Sequence, residues 1–400
     1  MRKPNGVAKR RLPSWIDHFV DSTKQLESPK LFRKWVAIST LAAVLEQKVW
    51  VMTSSPMYAN LYTFLVGQPG VGKSRAMDLA RDLIAGLPDP YIAPTSVNAA
   101  SIIDHLKECK RVIIRLPDPP VEYNSMALLV SEFGTFMSKH EDDLMALLTD
   151  FYNVRPYGQR RRGQGGLKID IERPQLNMLV ATTPSNLMKF MPEDAWGMGF
   201  ASRVLFIYSE EKNVIDDFAE GASIDTVDLV HDLGIINSIA GPFSVSEEYR
   251  TCVNLWRDRG EDDPPKPTHP RLQHYNSRRK EHLYRLSMVS AIDNGDTLIL
   301  GKADFLRALS WLIEAEQYMP RIFDSANGST DSAVMDELVY LLSHKGPMTE
   351  DAVMREVRKR VPAHAVGRVI QVMEEAGMIK VATRSRFGVR TFEAGQIGEP

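Results

Sequence analysis

Leu61-Tyr-Thr-Phe-Leu-Val-Gly-Gln-Pro-Gly-Val-Gly-Lys-Ser74 decides how the rest of the chain is read. Its first six residues form a short apolar and aromatic run, the pattern of a buried strand. Its last eight satisfy Gly-x-x-x-x-Gly-Lys-Ser, the Walker A loop that cradles phosphates. Gly67, Gly70 and Gly72, with Gln68, Pro69 and Val71 between them, permit the tight turn that aims backbone N–H groups inward. The pattern predicts a helix from Ser74 to Ala85 that stops near Gly86 and Pro88. Its N-terminus would add its positive dipole end to the loop. Lys73 is expected to reach the β- and γ-phosphates, and the Ser74 hydroxyl to ligate Mg2+, with Arg75 beside them. A chance octapeptide of this kind is expected in about one chain in a hundred of this length.

Outward from that loop, three more buried runs follow: Met126 to Ser131, Asn177 to Thr183, and Val204 to Tyr208. Helical patterns over Ser101 to Cys109 and Asp142 to Tyr152 alternate with them, which predicts an α/β fold with a parallel sheet over about residues 50–210. Val112 to Leu116, followed by Pro117 to Pro120, reads as an edge hairpin with a loop. Residues 1–13 read as a flexible basic arm and 14–49 as a helical segment. Residues 211–328 read as a helical lid, all-helical over 245–325 apart from a polar loop at Asp262 to Pro270. Asn327-Gly-Ser-Thr330 reads as a linker. The last part, 329–400, has three helical stretches and then a hairpin from Ile379 to Phe392, the order of a winged helix.

The chain has 400 residues, 44% of them hydrophobic, and a net charge of −2, so it builds a sizeable core and is no polycation. Any nucleic-acid contact must come from a local basic patch. Cys109 and Cys252 make neither a metal cluster nor a disulfide framework, which fits a reducing compartment and leads us to expect the cytoplasm. No apolar run reaches ~18 residues, so no transmembrane helix is expected.

Ala127-Leu-Leu-Val-Ser-Glu132 has the form of a strand ending in the acid that faces magnesium or polarises the attacking water. Glu132 is that candidate, and Ser131 stands where a paired Asp is usual. Met178-Leu-Val-Ala-Thr-Thr183 ends in polar side chains, with Thr183 the first choice to orient a water and Thr182 and Asn186 the alternates. Tyr157-Gly-Gln-Arg-Arg-Arg-Gly-Gln-Gly-Gly-Leu-Lys168 places Arg160, Arg161, Arg162 and Lys168 on a glycine-rich hairpin, suited to gripping phosphates without reading bases.

Three segments, Leu61 to Ser74, Leu128 to Phe136 and Phe151 to Tyr208, together resemble the phage- and plasmid-borne P-loop ATPases of primase–helicase proteins. The most specific part is Asp150-Phe-Tyr-Asn, then Arg-Gly and Ile-Glu-Arg-Pro, then the strand ending Thr-Thr-Pro. The resemblance covers about residues 15–325 and implies an oligomeric, hexameric AAA+ or superfamily 3-like motor that uses ATP and Mg2+ on single-stranded or forked DNA. It implies a sensor 1 role for Thr183, an arginine finger at Arg203 reaching a neighbouring subunit, a pore hairpin at Arg160 to Arg162, and a sensor 2 at Arg278, Arg279 or Arg285. No primase domain is recognisable, so priming would fall to another protein. In the winged helix, His364, Arg368, Arg384, Arg386 and Arg390 are the candidate DNA contacts. The expected function is a DNA helicase or translocase. An AAA+ loader or DNA-bound regulatory ATPase that does not unwind is the alternative, and a scaffold or defence ATPase acting on proteins the third reading.

Overall fold

The computed structural model describes residues 9–94, 98–114, 119–136, 142–160, 168–191, 196, 197, 199–215 and 224–323, and, towards the C-terminus, 334, 335, 338, 339, 341–343, 345–358, 361, 365–384 and 390–395. It is an α/β protein with mixed sheets of mostly parallel strands in its larger part. The chain divides into two compact units, 1–322 and 323–400. Among the described residues no helix is long and apolar enough to cross a membrane.

In the first unit the elements run α1 (Trp15–Ser22), α2 (Lys30–Leu45), β1 (Val49–Met52), β2 (Pro56–Tyr58), β3 (Tyr62–Val66), α3 (Lys73–Ala85), α4 (Ala99–Glu108), β4 (Lys110–Ile113), β5 (Val121–Val130), α5 (Phe133–Phe136), α6 (Asp142–Tyr152), β6 (Tyr157–Arg160), β7 (Lys168–Ile171), β8 (Pro174–Thr182), α7 (Pro184–Phe190), β9 (Val204–Tyr208), α8 (Val227–Ser238), β10 (Gly241–Val245), α9 (Glu247–Asp258), α10 (Gln273–Asn276), α11 (Arg279–Asn294), β11 (Ile299–Leu300) and α12 (Lys302–Glu316). The main sheet has the order β4-β5-β8-β3-β9. Only the edge strand β4 is antiparallel to its neighbour. Every residue of β3, β8 and β9 is buried, which is why these segments read as continuous apolar runs.

The N-terminal helices are part of this unit, because α2 buries 12 of its 16 residues, including Arg33, Ser39 and Thr40. Such a helix has almost no polar face to give to water, so it lies inside the fold, against β3 and β8. Ser39 Oγ donates to Thr63 Oγ1 at 2.8 Å, and Arg33 Nε to Ser28 O at 3.1 Å, which satisfies polar groups taken out of water.

Two expectations differ from the structure here. Residues 9–13 of the basic arm are tied down: Arg10 donates to Ile292 O (2.6 Å) and Asp293 O (2.9 Å), and the Arg11 and Leu12 amides donate to buried Asp232. Burial raises the Asp232 carboxyl, but those amides, His231 and Arg10 outweigh it and hold the group below its usual range. Residues 1–8 lie outside the described residues. The lid region is not all-helical either. β10 and β11 join β1 and β2 in a second sheet, order β11-β10-β1-β2. The segments 14–49, 50–210 and 211–322 all fall within the first compact unit, 1–322. The expected linker at 327–330 lies outside the described residues.

In the second unit, β12 (Met348–Thr349), α13 (Glu350–Arg358), α14 (Val366–Glu375), β13 (Ile379–Arg384) and β14 (Arg390–Ala394) follow residues 334–343. Its antiparallel sheet has the order β12-β14-β13. Leu338, Val353, Val357, Ile370, Met373 and Phe392 fill its core.

Candidate functional site

The C-terminal ends of β5, β8 and β3 lie at one edge of the main sheet, since Val66 pairs with Thr182 and Val130 with Val180. The Gly67 amide donates to Thr182 O and the Ser209 amide to Val66 O, both at 3.2 Å, so the loop starts clamped between its two neighbouring strands. Gly72 has φ +69°, and a Cβ there would come within 2.6 Å of the Ser28 amide nitrogen. A Cβ at Gly67 would come within 2.8 Å of Ser209 O. Backbone conformation and close approach therefore both demand glycine at Gly72. Val71 is buried, whereas Gln68, Pro69 and Gly70 are exposed.

Helix α3 starts at Lys73, one residue before the predicted start, and puts half-buried Ser74 and exposed Arg75 on its first turn. Lys73 Nζ folds back to donate to Gly67 O (2.7 Å) and Gln68 O (2.8 Å). Burial pushes this ammonium down to about 8.

Ser131 and Glu132 follow directly on β5 and are exposed. Because β8 lies between β5 and β3, Glu132 follows a strand two spacings, about 9.5 Å, from the loop's own strand. Thr182 is buried at the end of β8, and its Oγ1 donates to Thr183 O at 3.3 Å. Thr183 is the N-cap of α7: its Oγ1 accepts from the Asn186 amide (3.2 Å) and shares a hydrogen bond with Ser185 Oγ (3.1 Å). The structure thus brings Lys73, Ser74, Thr182, Thr183, Asn186 and the Glu132 segment to one edge.

The loop has one further partner that no motif announces. Asn213 holds the 24–27 backbone through Nδ2 to Lys24 O (2.9 Å) and Leu26 O (2.7 Å) and through its amide to Glu27 O (3.2 Å). That places Ser28 against Gly72. A lone Asn with distant backbone partners leaves no periodic or motif signal.

Arg203, expected as a finger offered to a neighbour, lies buried within its own chain. It is 4% exposed and donates to Gly199 O at 2.6 Å, and its guanidinium lies 5.9 Å from the Tyr152 ring centre. It also precedes β9, at the opposite edge of the sheet from the loop. Burial, then the nearby charge of Arg278, pushes it down to about 10, so it stays cationic at neutral pH. The prediction follows that Arg203→Ala destabilises its own chain, and mixing it with Lys73→Ala protein restores no nucleotide turnover. Recovery of turnover in the mixture would reinstate a role in trans.

The sensor 2 candidates share that opposite edge. Arg279 is buried with Glu316 (2.7 Å), Arg285 Nη1 donates to Tyr58 O (2.8 Å) and Asn60 O (3.0 Å), and half-buried Arg278 pairs with Glu281 (2.7 Å). Each is occupied away from the loop, a placement that depends on where α11 docks. Beside them His282 Nε2 donates to Ser202 O at 3.0 Å. Burial, with Arg285, Arg278 and Arg203 adding repulsion, pushes His282 down to about 3. The unfolded histidine titrates near 6.5, so below that pH the unfolded chain gains a proton that the folded one refuses. Stability is therefore expected to fall from pH 6.5 downward, by about 2 kcal/mol at pH 5 from this group. Urea unfolding at pH 7.5 and 5 measures it, and His282→Gln should flatten that acid limb.

Strands β6 and β7 form the expected antiparallel hairpin, Arg160 opposite Lys168. Lys168 pairs with Asp170 at 2.5 Å, which offsets part of its charge. Arg161 and Arg162 lie outside the described residues, as do His364 and Arg386. In the second unit Arg368 is exposed on α14. Arg390, by contrast, pairs with Glu350 (2.6 Å) and Glu374 (3.0 Å), which brace it within its unit.

No protein-family model matches this chain, and no curated protein shows significant similarity to it.

Proposed function

We propose that the chain is a P-loop ATPase that acts on DNA as an oligomeric helicase or translocase of the phage and plasmid type. The observation that carries the ATPase reading is the loop itself. A fully buried strand runs into Gly67 to Ser74, Gly72 adopts a conformation and an approach that exclude a side chain, and Lys73 sits inside the turn. Lys73 would leave the loop carbonyls for the β- and γ-phosphates, and the first-turn amides of α3 would donate to them. Glu132, spaced from β3 by a whole strand, leaves room for a γ-phosphate and a water that it polarises, while the polar end of β8 lies between. Mg2+ would arrive on the phosphates and take the Ser74 hydroxyl, Glu132 directly or through water, and further waters as its ligands. The ion supplies neutralisation of the developing phosphoryl charge.

The DNA reading rests on the hairpin between α6 and β8. Alanine at Arg160, Arg161 and Arg162 together is expected to abolish unwinding and to lower the salt slope of single-strand binding by about 2, three phosphates at about 0.7 each. Unchanged slope and unwinding would remove the hairpin from the mechanism.

One observation favours the non-unwinding alternative, a loader or DNA-bound regulatory ATPase: Arg203 is buried and bonded to Gly199 O of its own chain. The second unit, read as a winged helix, adds little electrostatic pull on DNA, with 11 acidic against 10 basic residues. Displacement of one strand from a forked duplex with Mg·ATP decides between the two. ATP hydrolysis without strand displacement excludes the helicase.

A further inference from the structure

A groove of about 410 Å³ opens between α9, α11 and the β1–β2 turn, and none of its lining residues belongs to the phosphate loop. Its floor is apolar, with Val51, Met57 and Val253, and its wall carries Tyr284. Arg257 and Lys280 line it, and among the described residues neither has a carboxylate within ion-pair distance. The one acid on its lining, Glu281, is already paired with Arg278 at 2.7 Å. The groove therefore offers net positive charge over an apolar and aromatic surface. Its size suits one base and sugar, at the small end of ligand sites.

Its position adds a second argument. Met57 lines the groove, and the next residue, Tyr58, accepts a hydrogen bond from Arg173, at the foot of the β6–β7 hairpin. Successive residues of a strand face opposite ways. Strand β2, at the edge of its sheet, thus has the groove on one face and the hairpin's foot on the other, and a nucleic-acid strand passing between them would cross that edge.

We propose that this groove is a second contact for single-stranded nucleic acid, with a base against Tyr284 and Met57 and the flanking phosphates on Arg257 and Lys280. The inference rests on the reading that the hairpin grips a nucleic-acid strand, which the groove would then continue. Cations tracking a backbone beside an aromatic platform are the general means of holding a single strand without sequence preference.

The test is fluorescence anisotropy of the full chain with labelled oligothymidylate across a salt series. The Arg257→Ala/Lys280→Ala double variant should bind about tenfold more weakly, with a salt slope smaller by about 1.4. Tyr284→Leu should weaken binding by about tenfold with the slope unchanged, because stacking releases no counterions. Thermal unfolding at the wild-type temperature confirms that each variant is folded. If the double variant keeps wild-type affinity and slope while the hairpin triple variant loses both, the groove proposal is wrong and the DNA reading stands. If the wild-type chain binds no oligothymidylate, the DNA reading fails first and the groove with it. If labelled poly-glutamate, and not the oligonucleotide, depends on Arg257 and Lys280, the groove is a peptide site and the proposal is overturned.

Discussion

Lys73→Ala will lower Mg·ATP hydrolysis by at least about 100-fold, the cost of removing one preorganised charge from a phosphoryl-transfer site. The side chain is held within the loop turn by two carbonyls, at 2.7 and 2.8 Å, so it needs little rearrangement to meet a phosphate. Its ammonium, pushed down to about 8, is still mostly charged at pH 7. Nucleotide affinity should therefore weaken as pH rises past 8, since a deprotonated lysine offers the phosphates no charge. Glu132→Gln is expected to reduce turnover by a similar factor but to leave binding intact, because its proposed role is on the water. The two variants thus separate holding from hydrolysing. Steady-state phosphate release gives the first number and equilibrium binding the second. If Lys73→Ala hydrolyses ATP at the wild-type rate, the loop is not the catalytic phosphate site.

Tyr152→Ala will destabilise the first unit by about 3–5 kcal/mol, whereas Tyr152→Phe will stabilise it by about 1 kcal/mol. The ring is 1% exposed and lies 4.1 Å from the Arg285 guanidinium and 5.9 Å from that of Arg203, with Tyr62 packed edge-on at 4.9 Å. Arg203 and Arg285 meet carbonyl and amide oxygens, but no carboxylate pairs with either among the described residues. Buried cations without a counter-charge are costly, and the negative face of the ring is what compensates them. Truncation to alanine removes the packing and that compensation together. The phenol oxygen, in contrast, has no hydrogen-bond partner although it is buried. Phenylalanine keeps the ring and deletes the unsatisfied group. Urea unfolding of both variants checks the sign of each effect. A loss in Tyr152→Phe comparable to that in Tyr152→Ala would mean that the hydroxyl, and not the ring, holds the cluster.

These cases separate what the sequence makes legible from what it does not. The loop, β3, β9 and α6 are local signals. Leu61 to Ser74 carries its own strand, turn and helix start, and nothing distant is needed to read it. The second sheet was invisible because its information is not local. β11 has only two residues, and β1 pairs with β10 from nearly 200 residues away. The burial of Arg203 is illegible for the same reason. Its spacing after Thr183 suits a finger, but whether it faces out or in depends on α11, which brings His282 to Ser202 across 80 residues. Arg10 likewise reads as a solvated charge until α11 ends beside it and offers two carbonyls. Arg390 looks like a wing contact until Glu350 and Glu374 arrive from two helices. Periodicity reports burial of apolar groups well. For an arginine it reports neither, since the same residue serves at a surface or in a cluster of carbonyls and rings.

Calorimetric titration of Mg·ATP into the full chain, run beside Lys73→Ala, decides whether this loop holds a nucleotide's phosphates. One nucleotide is expected per wild-type chain, with affinity at least about tenfold weaker in the variant, the loss expected for a charge-assisted contact to phosphate. No binding by the wild-type chain, or equal affinity in both proteins, would contradict it.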